Sequence, residues 1–94
     1  MKPSTQDIFS AMRVTPDAEK KKLIIKAYER AEAAHQDQKR ASGEPYFNHV
    51  FATAMNLARF GYDAITISAG LLHDTIEDTP VTEKEIQQEF GDEI

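Results

Sequence analysis

Apolar residues recur along the chain at helical spacing, and the intervals between them carry helix starts and stops. Residues 1–14 show little periodicity and read as a lead-in, or as a short helix around Ile8 and Met12. "TPDAE" then opens a long helix, with Thr15 as N-cap, Pro16 at the first position, and Asp17 and Glu19 in the first turn. Leu23, Ile24, Ala27, Tyr28, Ala31 and Ala34 form its stripe and carry it to about His35–Gln38. Lys20, Lys21, Lys22, Lys26 and Arg30 lie mostly off that stripe and read as a solvated face.

Gly43 and Pro45 mark "KRASGEPY" as a loop. A second stripe follows, at Phe47, Val50, Phe51, Ala54, Leu57 and Ala58, with Gly61 as its left-handed cap. Asp63 then caps a third helix, "AITISAGLLHD", whose residues are apolar or small on every side, so its expected place is the centre of the fold. Pro80 breaks the chain. Thr82 and Glu85 form a capping box for a short helix with Ile86 and Phe90 one turn apart, and Gly91 ends it. Asp92, Glu93 and Ile94 read as the first turn of another helix. The pattern is all-α, with about four to five helices.

At 94 residues this is one small domain. The absence of cysteine removes disulfides and thiolate metal sites, so a metal would have to rest on His, Asp or Glu. A net charge of −5 speaks against a general nucleic-acid or anionic-membrane binder. It is compatible with a phosphate-bearing small substrate if a bound cation reverses the local potential. No stretch is long and apolar enough for a membrane span, and "MKPSTQDIF" lacks the apolar core of a signal peptide, so a cytoplasmic protein is expected.

The chemistry concentrates in "LLHDTIEDTP", where two leucines lead into His73, Asp74, Thr75, Glu77 and Asp78. Carboxylates near a core are costly unless they are paired or hold a metal. Glu77 follows His73 by four residues and Asp78 follows Asp74 by four, so a helix that continues places each acid on its partner's face. His49 lies at the edge of the second stripe, and the short "GYD" connection makes the two helices antiparallel neighbours. His49, His73 and Asp74 are then expected to converge in a mixed imidazole and carboxylate set that suits Mn, Fe or Zn. A polar helix end facing solvent and a core histidine are the plain alternatives. Lys39 and Arg40 lie beside this site, as cations that could meet a phosphate or stack on a base. His35 is expected to hydrogen-bond the loop that follows it, and Tyr46 to pack with a hydroxyl tip.

"AHQDQKRASGEPYFNH" followed by "TISAGLLHDTIEDT" resembles the HD-type hydrolase domain of the RelA/SpoT homologues, including the small stand-alone alarmone hydrolases. The likeness runs from roughly Ala31 to Gly91. It implies an HD-domain helical bundle, here its N-terminal part over 15–94, that hydrolyses the 3′-pyrophosphate of guanosine tetraphosphate or pentaphosphate ((p)ppGpp) with Mn²⁺. It implies His49, His73 and Asp74 as metal ligands, and Glu77 and Asp78 as the acidic pair that serves the attacking water. Arg40 would lie against the guanine, with Ser42 and Lys39 in the same nucleotide-contacting loop. Asp37 stands where the family has glycine, and Val50 where it has proline. The family's fourth ligand, a downstream aspartate, would fall past Ile94, so this chain is expected to bind metal weakly and turn over little. The other readings are an HD phosphohydrolase acting on another nucleotide, or a non-catalytic regulatory or nucleotide-binding module.

Overall fold

A computed structural model of the chain describes residues 3–36, 38–39, 41–78 and 83–90, with the side chains of Asp74, Glu77, Asp78, Glu83 and Glu89 outside the description. The described residues form five helices: α1 (Thr5–Ala11), α2 (Ala18–Ala34), α3 (Tyr46–Arg59), α4 (Ala64–Asp78) and α5 (Glu83–Phe90). No helix among them is long and apolar enough to cross a membrane. The expected Thr82 cap and residues 91–94 lie outside the described residues.

The N-terminal segment is a helix with a role in the core. Ser4 caps α1 by accepting the Asp7 N–H at 3.3 Å, and Ile8 is fully buried. The α2 start lies two residues later than the Thr15 cap expected from the sequence. Asp17 takes the cap, its carboxylate accepting the Lys20 N–H at 2.9 Å, which leaves Pro16 buried just outside the helix. Both residues are competent caps, but only one can close the first turn. Ile24, Ala27, Tyr28 and Ala31 then form the buried stripe.

The lysine face of α2 is more than solvated. Lys21 lies over the Phe9 ring of α1 at 5.7 Å, and Lys26 over the Phe90 ring of α5 at 4.7 Å. Arg30 pairs with Glu85 at 3.3 Å. The cations thus rest on the flanking helices, with their long stems over apolar surface.

Between α3 and α4 the chain turns through a Schellman motif. Gly61 takes φ +88°, its N–H bonds to the Ala58 carbonyl at 3.1 Å, and the Tyr62 N–H reaches the Leu57 carbonyl at 3.1 Å. Arg13 Nε donates to the Arg59 carbonyl at 3.0 Å, so the α1–α2 connection helps to satisfy the end of α3. Asp63 caps α4 through the Thr66 N–H at 2.8 Å. The turn makes α3 and α4 antiparallel. α4 packs against both α2 and α3, and its buried residues are Ala64, Ile67, Ser68, Leu71, Leu72 and Thr75. The central place expected for this helix is the observed one, and it extends one turn past His73 to Asp78.

Candidate metal and nucleotide site

The site starts from the hairpin register. α3 runs away from His49 towards the Gly61 turn and α4 runs back, so His49, Thr53 and Leu57 at helical spacing face Thr66, Ala69, Gly70 and His73. These residues line one open groove of about 480 Å³, with both imidazoles exposed in it. Gly70 sits close to Leu57 in this groove: a Cβ there would stand 2.5 Å from Leu57 Cδ1, so a larger residue would require the end of the Leu57 side chain to shift.

His49 and His73, separated by 24 positions, are therefore brought to one groove as the helical spacing requires. Asp74 follows His73 on α4, and Glu77 and Asp78 complete the last turn of that helix. Their side chains lie outside the described residues. Among the described residues no group of three His, Cys, Asp or Glu side chains assembles that could hold a metal. Imidazole nitrogens are donors of the kind that suits a borderline divalent cation, and a neighbouring carboxylate would complete a mixed set.

The loop entering α3 is folded onto the same end. Tyr46 N–H donates to the Gln38 carbonyl at 2.9 Å, and Lys39 and Pro45 form an antiparallel bridge, which together close the loop at its neck. Gly43 at φ +88° makes the turn. Lys39 and Ser42 are exposed, and Ser42 Oγ accepts the Glu44 N–H at 3.4 Å. Arg40 lies outside the described residues.

His35 bonds the loop that follows it, as the sequence reading expects. Its ring is 1% exposed, and Nδ1 pairs with Gln38 Oε1 at 2.7 Å. Two further neighbours were not read from the sequence. Thr75 Oγ1 lies 3.3 Å from His35 Nε2, and Tyr46 stacks on the His35 ring at 5.1 Å while meeting His49 edge-on at 5.7 Å. The available signal was position: Thr75 continues the buried stripe of Ala64, Ser68 and Leu71, and Tyr46 precedes His49 by three residues on the same helix.

Residues 27–94 match the family model described as HD domain. The chain belongs to the HD domain family. Within this HD domain the matched segment contains His49, His73, Asp74, Glu77 and Asp78. The chain is 53% identical over 72 residues to a probable guanosine-3′,5′-bis(diphosphate) 3′-pyrophosphohydrolase of Mycoplasma genitalium, a span of 77% of this chain and 10% of that protein. It is 49% identical over 71 residues to a guanosine-3′,5′-bis(diphosphate) 3′-pyrophosphohydrolase of Aquifex aeolicus, spanning 76% of this chain and 10% of the relative. A GTP pyrophosphokinase rsh of Brucella melitensis is 50% identical over 82 residues, spanning 87% of this chain and 11% of the relative. This HD domain thus spans about a tenth of the length of the curated relatives it matches.

Proposed function

We propose that the chain carries the metal-binding part of a site that hydrolyses (p)ppGpp, releasing pyrophosphate from the 3′ position and leaving GDP or GTP. The observation that carries this reading is the placement of His49 and His73, from two helices, on one groove. The names of the Mycoplasma and Aquifex relatives support the substrate class. The Brucella name supports a guanine nucleotide bearing a pyrophosphate group.

In this reading His49, His73 and Asp74 hold a divalent cation, with Mn²⁺ the ion implied by the family likeness. A divalent cation bound there supplies Lewis acidity to water and to the phosphate oxygens. Glu77 and Asp78 accept the proton of the attacking water and deliver one to the departing 3′ oxygen. Their place on the turn after His73 and Asp74 is compatible with that task. Water forms the new oxygen–phosphorus bond as the bond from phosphorus to the 3′ oxygen breaks. Lys39 and Arg40 meet the phosphates and base, and Ser42 hydrogen-bonds the nucleotide from the same loop.

The experiment uses a longer protein that carries the downstream aspartate, and pairs Mn²⁺ titration with product analysis after incubation with guanosine tetraphosphate. His73→Ala and His49→Ala should lose Mn²⁺ binding together with any release of GDP and pyrophosphate. Glu77→Gln and Asp78→Asn should keep metal and nucleotide affinity while the rate falls by about 10²–10⁴. Metal affinity unchanged in both alanine variants, or nucleotide binding without any 3′ cleavage, overturns the reading.

A further inference from the structure

Among the described residues His35 is the largest of the buried polar side chains, and the proposed chemistry does not use it. A buried imidazole is tolerated when its nitrogens are bonded, and here each has a partner on a different segment. Nδ1 holds Gln38, at the neck of the nucleotide loop, and Nε2 meets Thr75, the residue after Asp74. The ring face lies on Tyr46 at an interplanar angle of 28°, and Tyr46 meets the His49 ring at 63°. Gln38 and Tyr46 are themselves joined by a backbone hydrogen bond, so the contacts around the imidazole form a closed frame. An aliphatic residue could fill this space, but it would fix neither the direction of the loop neck nor the rotation of the α4 turn. Two directional bonds and one stacked face constrain all three segments at once.

We propose that His35 is a positioning residue for the groove: through Tyr46 it orients the His49 ring, and through Thr75 it sets the α4 turn that carries His73 and Asp74. It touches neither metal nor nucleotide. The proposal rests on the metal-site reading for what the groove binds, and on the contacts above for how His35 acts.

The test uses nuclear magnetic resonance of the ring nitrogens together with Mn²⁺ titration. The chain has three histidines, so the ring signals can be assigned by single substitutions. His35→Leu and Tyr46→Leu should both move the His49 ring resonances and weaken Mn²⁺ binding by about 10-fold, the low end of the loss when groups that orient ligands are removed. Tyr46→Phe keeps the stacked ring and should keep both signals near wild type. Thr75→Val cuts one anchor and leaves the stack, so it should move His73 more than His49; it also serves as the decisive variant if His35→Leu fails to fold. A purely structural role would lower the melting temperature alone. A folded His35→Leu with unmoved His49 resonances and Mn²⁺ affinity within about two-fold of wild type overturns the proposal. If the wild-type chain takes up no Mn²⁺, the metal reading falls, and the resonance shifts decide the positioning role by themselves.

Discussion

Two hydroxyls are fully buried on α4, two turns apart, and their removal should have opposite effects. Ser68 Oγ finds no hydrogen-bond partner among the described residues, whereas Thr75 Oγ1 meets His35 Nε2 and donates to the Leu71 carbonyl at 3.3 Å. An unbonded buried hydroxyl costs about 1–3 kcal/mol in lost hydration. Ser68→Ala removes that cost and adds about 0.5 kcal/mol of helix propensity. Against this stands the loss of one atom's packing contacts, about 1 kcal/mol or less. The net expectation is a gain of about 1 kcal/mol, which for a domain of this size raises the melting temperature by about 4–8 °C. Thr75→Val keeps the shape but leaves His35 Nε2 without its partner, so it should destabilise by about 1–2 kcal/mol even after crediting the added methyl. Circular dichroism at 222 nm during heating, repeated in urea to check that the slope is unchanged, reads both shifts. A Ser68→Ala protein less stable than wild type, or two variants moving in the same direction, would refute the reasoning.

Two pH-dependent predictions concern groups away from the groove. Burial, with the negative charges of Glu32 and Asp7 adding to it, pushes the Tyr28 phenol up to about 12. A folded-state value above the unfolded one means the contribution is complete below pH ~10 and is lost as pH rises through ~12. Tyr28→Phe should flatten that alkaline decline in urea midpoints; an unchanged decline would assign it elsewhere. The Thr66 N–H, followed by the Thr66 hydroxyl, holds the Asp63 carboxyl below its usual range. Its cap should therefore be intact above pH ~4 and lost as pH falls through the lowered value. Asp63→Ala should cost about 1 kcal/mol at neutral pH, and the gap to wild type should close in acid.

The features legible in the sequence were those governed by neighbours a few residues away. The α3 stripe, the left-handed Gly61 and the Asp63 cap follow local rules that tertiary structure did not override. The convergence of His49 and His73 was legible because a four-residue connection leaves an antiparallel hairpin little freedom. The first cap of α2 was misplaced because Thr15 and Asp17 offer the same chemistry two residues apart, and packing of Pro16 is not visible in a string. The lysine face was read as solvated because its partners, Phe9, Phe90 and Glu85, come from other helices. Thr75 and His35, 40 positions apart, were hidden for the same reason.

Ile8 separates the unit by which the family is recognised from the unit that folds. The family match begins at residue 27, in the middle of α2, yet Ile8 and Ile24 lie upstream and are among the largest fully buried side chains. Burying two such residues contributes about 3–6 kcal/mol, a large share of the 5–15 kcal/mol that holds a typical domain together. A fragment trimmed to the recognisable segment would keep the histidines and expose the part of the core that Ile8 and Ile24 cover. Excision for expression should therefore begin ahead of Ser4. Among homologues, the stretch preceding the signature should be compared for its capacity to plug the core, even where its letters no longer align.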